Sequence, residues 1–444
     1  MSAASFLRRV LGRARPDVEA RARHLIALCE ALLGERGEVS GAVLAREALT
    51  AYEGLDEAGR TSFFNVLSEQ FAPSPEDIGK AADAYRYDPT PQNLVHLQEL
   101  IDSERQELFR RLNMASGGTG ILVGMRRDLL RGLAKHPDWR AIDSDFMQLF
   151  RSWFNRGFLR LERIDWRTSA MVLEKLIQYE AVHAIQGWPD LRRRLEDDRR
   201  CFAFFHPQLR DEPLIFIEVA LTRGMSAQVQ PLLDVQSPVA VPQQADTAIF
   251  YSITNCQEGL RGTSFGNLLI KQVAEELKRE FPHLRTFATL SPIPGFRRWL
   301  ERTETQVRLA VGPDAEQRLA LLSTIARPGW HSGEVPELLQ KLLTRLCAWY
   351  LMHAKQGTEP LDPVSRFHLG NGAALERVNW LGDTSESGMQ RAFGMMVNYV
   401  YRLEDVERNH ERFFSEQVVV ASRAVEKLAR KSPLAAPAAK HAEA

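Results

Sequence analysis

Apolar residues in this chain change their period near Trp153. From Val18 to Trp153 they recur at helical spacing, and alternating runs are almost absent. Ala20–Leu33 is apolar-periodic and closes at Gly34. Ser74-Pro75-Glu76-Asp77 supplies an N-cap serine, a proline at the first helical position and an acid at the third. Thr90-Pro91-Gln92 repeats the device before Leu94, Leu97 and Leu100. Short Gly/Pro/Asp joints between these segments predict a helical bundle. Past Trp153 strands mix in. Phe158–Ile164 reads as a short strand or turn and Ser169–Ile185 as a helix. Cys201–Phe205 and Pro213–Leu221 read as two strands joined by a loop with His206, Pro207 and Asp211. Arg223–Asp246 is an irregular excursion rich in Gln, Pro and Val, which either covers a site or carries function.

The densest pattern runs from Ile249 to Phe296. Ile249–Thr254 is β-branched and aromatic, as a buried strand requires. A helix follows, with Leu269, Val273, Leu277 and Phe281 on one face and Lys271, Glu275, Glu276 and Arg279 on the other. Glu275 and Arg279 are spaced for an i,i+4 pair. Between strand and helix lies Arg261-Gly262-Thr263-Ser264-Phe265-Gly266-Asn267. Glycines there let N–H groups turn outward, and the helix start adds unpaired donors, so the turn is a candidate pyrophosphate cradle. An ordinary strand-to-helix turn is the competing reading. A second strand then ends at Ser291, and Pro292 and Pro294-Gly295 turn the chain away. Beyond Phe296 the pattern predicts mostly helix, including Glu334–Tyr350 and a last helix over Val406–Leu428. Ser432–Ala444 is an Ala/Pro-rich tail without core-forming residues, expected to be disordered.

Composition narrows the classes. The chain has 444 residues, 44% hydrophobic, enough for two domains or more. Lys+Arg and Asp+Glu both number 57, so there is no basic excess for nucleic acid. No apolar run is long enough to span a bilayer. Arg8, Arg9, Arg13 and Arg15 precede the first acid, Asp17, which resembles a weak mitochondrial presequence or, preferred here, a basic first helix. Cys29, Cys201, Cys256 and Cys347 are scattered without a CxxC, against a zinc knuckle or disulfide framework.

Other candidate chemistry is thin. Ser116-Gly117-Gly118-Thr119-Gly120 lacks the Gly-Lys-Ser/Thr ending of a phosphate loop and reads as a helix–helix joint. Glu180/His183, Glu280/His283 and Glu407/His410 have metal-compatible spacing, but nothing ties them together, and surface or capped histidines explain them. His183 and His206 read as satisfied buried histidines. Arg192–Arg200 mixes acids and bases and reads as a solvated helix face.

Several long strings carry a more specific signal: GLRGTSFGNLLIKQVAEELKREFPHL, LSPIPGF, LCAWYL, FHLGNGA and YEAVHAI. Through them the chain resembles the malonyl-CoA decarboxylase family along nearly its whole length. The resemblance implies an α+β protein: a helical bundle over 1–155, used for a homotetramer, a GNAT-like mixed α/β catalytic domain over 156–431, and a tail over 432–444. It implies that the turn Arg261–Asn267 holds the CoA pyrophosphate, with Ser264 where the transferase pattern has a glycine. The family's catalytic serine falls on Ser291 and its histidine on His368. Without the family, Ser291 would read as a turn residue or cap and His368 as a buried histidine.

The implied substrate, malonyl-CoA, carries its carboxylate beta to a thioester carbonyl. That carbonyl is the electron sink, so no metal or organic cofactor is expected. His368 is expected to donate the proton, its ordinary pKa lying near working pH, and Ser291 to bind the carboxylate and relay a proton. Acyl transfer on the same scaffold, or a non-catalytic CoA-binding scaffold, are the rival readings. The expected location is the cytoplasm, with the mitochondrial matrix as the alternative, and no nucleic-acid or membrane partner is expected.

Overall fold

A computed structural model describes residues 16–263, 269–312, 314–327 and 329–435 of the chain. Its contacts divide it into two compact units. One comprises Met1–Arg160 with two loops, Phe205–Leu214 and Gln257–Phe265; the other comprises Leu161–Phe204, Ile215–Cys256 and Gly266–Ala444. The division is therefore not a single cut in the chain.

The first unit is helical: α1 (Pro16–Gly34), α2 (Glu38–Glu53), α3 (Glu57–Glu69), α4 (Pro75–Tyr87), α5 (Pro91–Ile101), α6 (Glu104–Leu112), α7 (Gly118–Gly132) and α8 (Arg140–Trp153). The caps read from the sequence form as expected: Ser74 accepts from the Asp77 N–H and Thr90 from the Asn93 N–H. Phe109 stacks on Phe146 at 4.1 Å in the core. Beside it the buried Arg105 donates to Asp145 at 2.7 Å, and Ser103 and Gln106 complete that carboxylate's bonding. The Ser116–Gly120 segment is a joint. Gly117 takes φ 78° and α7 begins at Gly118, where a Cβ would lie 2.5 Å from the Leu112 carbonyl oxygen.

The second unit is built on one mixed sheet of eight strands. They are β1 (Arg160–Ile164), β2 (Arg199–His206), β3 (Leu209–Thr222), β4 (Thr247–Asn255), β5 (Thr286–Thr289), β6 (Ser291–Pro292), β9 (Ala374–Asn379) and β10 (Met396–Val400). A separate ribbon pairs β7 (Lys355–Gln356) with β8 (Glu359–Pro360). The sheet order is β1-β2-β3-β4-β5-β10-β6, with β9 also on β10. Strand β4 pairs antiparallel with β3 along its length, with a bulge at Tyr251, and parallel with β5 from Thr247 to Phe250 only. Beyond Phe250 and Thr289 the parallel pairing is not continued, so the two neighbours part. The chain is α+β, a helical bundle followed by a mixed-sheet domain. Among the described residues no helix is long and apolar enough to cross a membrane.

Helices of this unit used below are α9 (Ala170–Tyr179), α10 (Trp188–Arg194), α11 (Leu269–Glu280), α12 (Glu337–His353), α13 (Pro363–Gly370), α14 (Val406–Glu416) and α15 (Arg423–Arg430). The apolar face of α11 is buried as its period predicts. The excursion after Arg223 covers the sheet: Val229 and Leu232 pack on Ala220, Ile249, Leu290 and Met396.

Several expectations fail for identifiable reasons. The region after Phe296 is mostly helical, as its pattern predicts, but it also contributes β9 and β10 to the sheet, which the pattern does not show. The last helix is two, α14 and α15, separated after Gln417 takes φ 55°. The helix from Ser169 stops at Tyr179, because Glu180 turns extended and its carboxylate takes the Val182 and His183 N–H groups. On α11, Arg279 bonds Glu276 and Lys271 faces Glu275, in place of a Glu275–Arg279 pair. The Arg192–Arg200 segment is not a solvated face. Arg193, Arg194, Arg199 and Arg200 are all buried, since each finds an acid or carbonyl inside. Arg194, 2% exposed, donates to Asp190, Glu218 and the His183 carbonyl.

Candidate active site

Ser291 does not end β5; it opens the two-residue strand β6, which pairs with Val397 of β10. Proline at 292 holds the serine backbone extended, as pairing requires. The chain then turns at Gly295, where a Cβ would lie 2.4 Å from the Tyr350 Oη and would displace that hydroxyl. His368 lies on α13, whose N-cap is Asp362. Asp362 Oδ1 accepts from the Val364 and Ser365 N–H groups at 3.0 and 2.9 Å, and Oδ2 accepts from the Gly295 N–H at 3.4 Å. One buried carboxylate thus links the turn after Ser291 to the helix of His368.

The result is a contact between residues far apart in sequence. Ser291 Oγ lies 3.0 Å from His368 Nε2 and donates to Thr289 Oγ1 at 2.8 Å. His368 Nδ1 lies 2.8 Å from the hydroxyl of Tyr401, just past β10. Because the serine proton goes to Thr289, the consistent arrangement has Nε2–H donating to Ser291 and Tyr401 donating to Nδ1. Tyr399 stacks on the imidazole at 4.6 Å. Its hydroxyl lies beside that of Ser365 without reaching hydrogen-bond geometry.

Burial sets the electrostatics. His368 is 3% exposed, and burial pushes its pKa down to about 3, which overturns the expectation of an imidazole titrating near working pH. Burial lifts the Tyr401 and Tyr399 phenols well above their ordinary value. It also raises Asp362 to about 6, against the N–H groups that favour its charge.

The proposed phosphate turn is only partly visible. Ser264, Phe265, Gly266 and Asn267 lie outside the described residues. Arg261, Gly262 and Thr263 belong to the first unit, with Gly262 at φ 80°. Within that unit the buried Arg126 donates to the carbonyls of Gly259 and Arg261 at 2.7 and 2.8 Å, and to Asp143. Gly259 abuts α7 so closely that a Cβ would lie 1.9 Å from the Val123 oxygen.

The Glu/His pairs do not converge. Glu280 is bonded by Arg163 and Arg200, Glu407 by Lys271, and His410 faces the Gly370 carbonyl. His206 is satisfied by the Trp153 carbonyl and the Gln208 N–H, whereas the buried His183 Nε2 has no hydrogen-bond partner. Among the described residues no group of three or more His, Cys, Asp and Glu could hold a metal ion.

Sequence reasoning missed Thr289, Asp362, Tyr401 and Arg126. Asp362-Pro363 ahead of the FHLG string is a readable helix start, and Tyr399-Val400-Tyr401 a readable strand alternation. Arg126 carries no local signal.

A mixed sheet whose β4–β5 pairing ends early, with a buried hydroxyl–imidazole pair on neighbouring elements, defines an α+β protein with a candidate active site. Comparison with known proteins narrows that class. Family models for the malonyl-CoA decarboxylase N-terminal and C-terminal domains match residues 71–154 and 157–441. The mitochondrial malonyl-CoA decarboxylase of Anser anser anser is 36% identical over 393 residues, 83% of this chain and 76% of that one. The Rattus norvegicus protein of the same name is 36% identical over 341 residues, 71% and 69%. The crystal structure of malonyl-CoA decarboxylase from Rhodopseudomonas palustris is similar at TM-score 0.86 and 49% identity, over 91% of this chain and 99% of that one. That from Agrobacterium vitis gives 0.84 and 47%, with the same coverage. The chain belongs to the malonyl-CoA decarboxylase family.

Proposed function

We propose that this protein decarboxylates malonyl-CoA to acetyl-CoA and carbon dioxide, with Ser291 and His368 at the reacting end. The observation that carries the reading is the buried 3.0 Å contact between Ser291 Oγ and His368 Nε2, in a chain of this family. The electron pair of the bond to the carboxylate carbon passes into the thioester carbonyl, giving an enolate and releasing carbon dioxide. The α-carbon then takes one proton and becomes the methyl of acetyl-CoA. Backbone groups of β4, beyond the point where β5 leaves it, are the proposed donors to the enolate oxygen.

His368 is the proton donor in this scheme. Burial alone keeps its imidazole neutral, pushing the pKa down to about 3. An arriving malonyl carboxylate favours the imidazolium, because an opposite charge nearby raises a histidine pKa. As neutral carbon dioxide leaves, the negative charge passes to the enolate, and the imidazolium stands as a strong acid next to the basic carbon. Ser291 bonds the substrate carboxylate and keeps Nε2 aimed. The turn Arg261–Asn267 is the proposed pyrophosphate site, supported by the way Arg126 draws two of its flanking carbonyls inward.

Malonyl-CoA supplied alone tests the reading. Formation of acetyl-CoA and carbon dioxide supports it; an enzyme idle until an amine acceptor is added would be an acyltransferase, and CoA-induced thermal stabilisation without turnover would mark a scaffold. Residues 1–155 are proposed to make the homo-oligomer, a tetramer by family resemblance. In that unit α5 has no buried residue, and Tyr87, Val95 and Ile101 are exposed. Light scattering of the Val95→Glu variant reads this directly, a smaller mass being expected. The proposed location is the cytoplasm, with the mitochondrial matrix as the alternative; cell fractionation separates them.

A further inference from the structure

The splayed half of β4 poses a physical problem. From Thr247 to Phe250 the strand has β5 on one side and β3 on the other. From Tyr251 onward β3 remains, but among the described residues no strand pairs with the other edge. Tyr251, Ser252 and Thr254 are nonetheless buried. An unpaired edge inside a protein is costly, and the cheapest relief is for the strand to twist or close back towards its former neighbour. Something must hold it open and in register.

The YEAVHAI string supplies a fixture. Ser252 and Thr254, two apart, project on the same face of β4. Both donate to Glu180: Ser252 Oγ lies 2.9 and 2.8 Å from the two carboxylate oxygens, and Thr254 Oγ1 lies 3.2 Å from Oε2. Glu180 Oε1 also accepts the N–H groups of Val182 and His183 at 2.7 and 2.8 Å. Glu180 is 7% exposed and sits at the end of α9, where its own turn fixes it. The carboxylate therefore has four donors, two from a rigid turn and two from the unsupported strand. The bulge opposite Glu218 falls at Tyr251, the first residue of the same half-strand. Side-chain hydroxyls leave the strand on the sheet face, whereas its unpaired amide edge lies in the sheet plane. The Ser252 and Thr254 bonds thus grip β4 by its side chains and leave its backbone N–H groups out of the clamp.

We propose that Glu180 is a positioning residue for the thioester: by holding Ser252 and Thr254 it fixes the free amide edge of β4 that receives the carbonyl, then enolate, oxygen. The inference rests on the reading of the protein as a malonyl-CoA decarboxylase. Oxyanion donors act only when already aimed, so small displacements of a strand are expensive.

The test is Glu180→Gln, with Thr254→Val as the milder variant should the first fail to fold. Turnover of malonyl-CoA is measured together with the isotope-edited infrared band of bound acetyl-CoA carrying carbon-13 at its thioester carbonyl. The expected result is a fall in kcat of about tenfold to a hundredfold with KM changed by less than about threefold. The carbonyl band should move back towards its position in free acetyl-CoA. A merely structural role would reduce the amount of folded enzyme without moving the band. Unchanged kcat, or a wild-type band position in the folded variant, overturns the proposal. If the wild-type enzyme itself makes no acetyl-CoA, the functional reading fails instead, and the two failures are told apart.

Discussion

Two tyrosines flank His368, and they differ in one respect that can be measured. Tyr401 presents its hydroxyl to Nδ1 at 2.8 Å, whereas Tyr399 offers a ring face at 4.6 Å and a hydroxyl that makes no hydrogen bond among the described residues. Replacing Tyr401 by Phe keeps the ring and removes the hydroxyl that bonds Nδ1. A buried polar atom that loses its partner costs about 1–3 kcal/mol, since water does not replace it. The cost falls on the tautomer with Nε2–H, the form that keeps the imidazole aimed at Ser291. Spent at the transition state, it corresponds to a loss of roughly 5- to 150-fold in kcat. Replacing Tyr399 by Phe keeps the stacked ring and deletes that hydroxyl, which is close to neutral or stabilising. Its kcat should stay within about threefold of wild type. Steady-state acetyl-CoA formation, separated chromatographically, reads both variants, and thermal unfolding checks that each is folded. Equal losses in the two variants, or a Tyr401→Phe enzyme within about twofold of wild type, would refute the hydrogen-bonded chain as the source of the effect.

Other expectations follow from the same geometry. His368 binds a proton near pH 6.5 when unfolded but only near about 3 when folded, so the folded state holds fewer protons between those values and stability falls as pH drops. Between pH 7 and pH 5 that amounts to about 2 kcal/mol, and urea unfolding of wild type and His368→Gln should differ in pH dependence by that much. A difference that does not change with pH would show the imidazole to be solvated. Arg126→Met removes the donors to the Gly259 and Arg261 carbonyls, and should weaken CoA binding by about tenfold or more in calorimetry. It should leave kcat at saturating substrate little changed; a normal dissociation constant would separate Arg126 from the cradle. Asp362→Ala removes a helix cap and the tie to Gly295, costing about 1–2 kcal/mol of stability in thermal unfolding and slowing turnover. Loss of stability with full kcat would limit Asp362 to a structural role.

What local pattern could see, it saw: the capped helices at Ser74 and Thr90, the four-residue period of α11, and the strand–turn–helix around β4 all depend on neighbours in sequence. The misreadings have a common physical origin. Strands β9 and β10 are short, and only their pairing with one another and with β5 and β6 makes them strands. The arginines after Arg192 look solvated because charge normally is; Asp190 and Asp198 lie close to them in sequence, but Glu218 on β3, Glu280 on α11 and the burial itself lie out of any local window. The pKa of His368 was misjudged for the same reason, because burial is a property of the packed fold.

Ser291 and His368, the residues proposed to react, are legible only through the family resemblance of their strings. The residues that aim them are different. Asp362 acts through a cap and a distant N–H, Tyr401 through a ring nitrogen 33 positions away, and Glu180 through two hydroxyls on another strand. Each of these jobs can be done by several residue types, so the sequence around it carries little constraint, and only coordinates bring the pairs together. The strand–turn–helix around Ile249–Phe296 is therefore half of a working arrangement. In the proposed mechanism its separated strands make room for a thioester, and the carboxylates of Glu180 and Asp362, from before and after it in the chain, keep that room in shape.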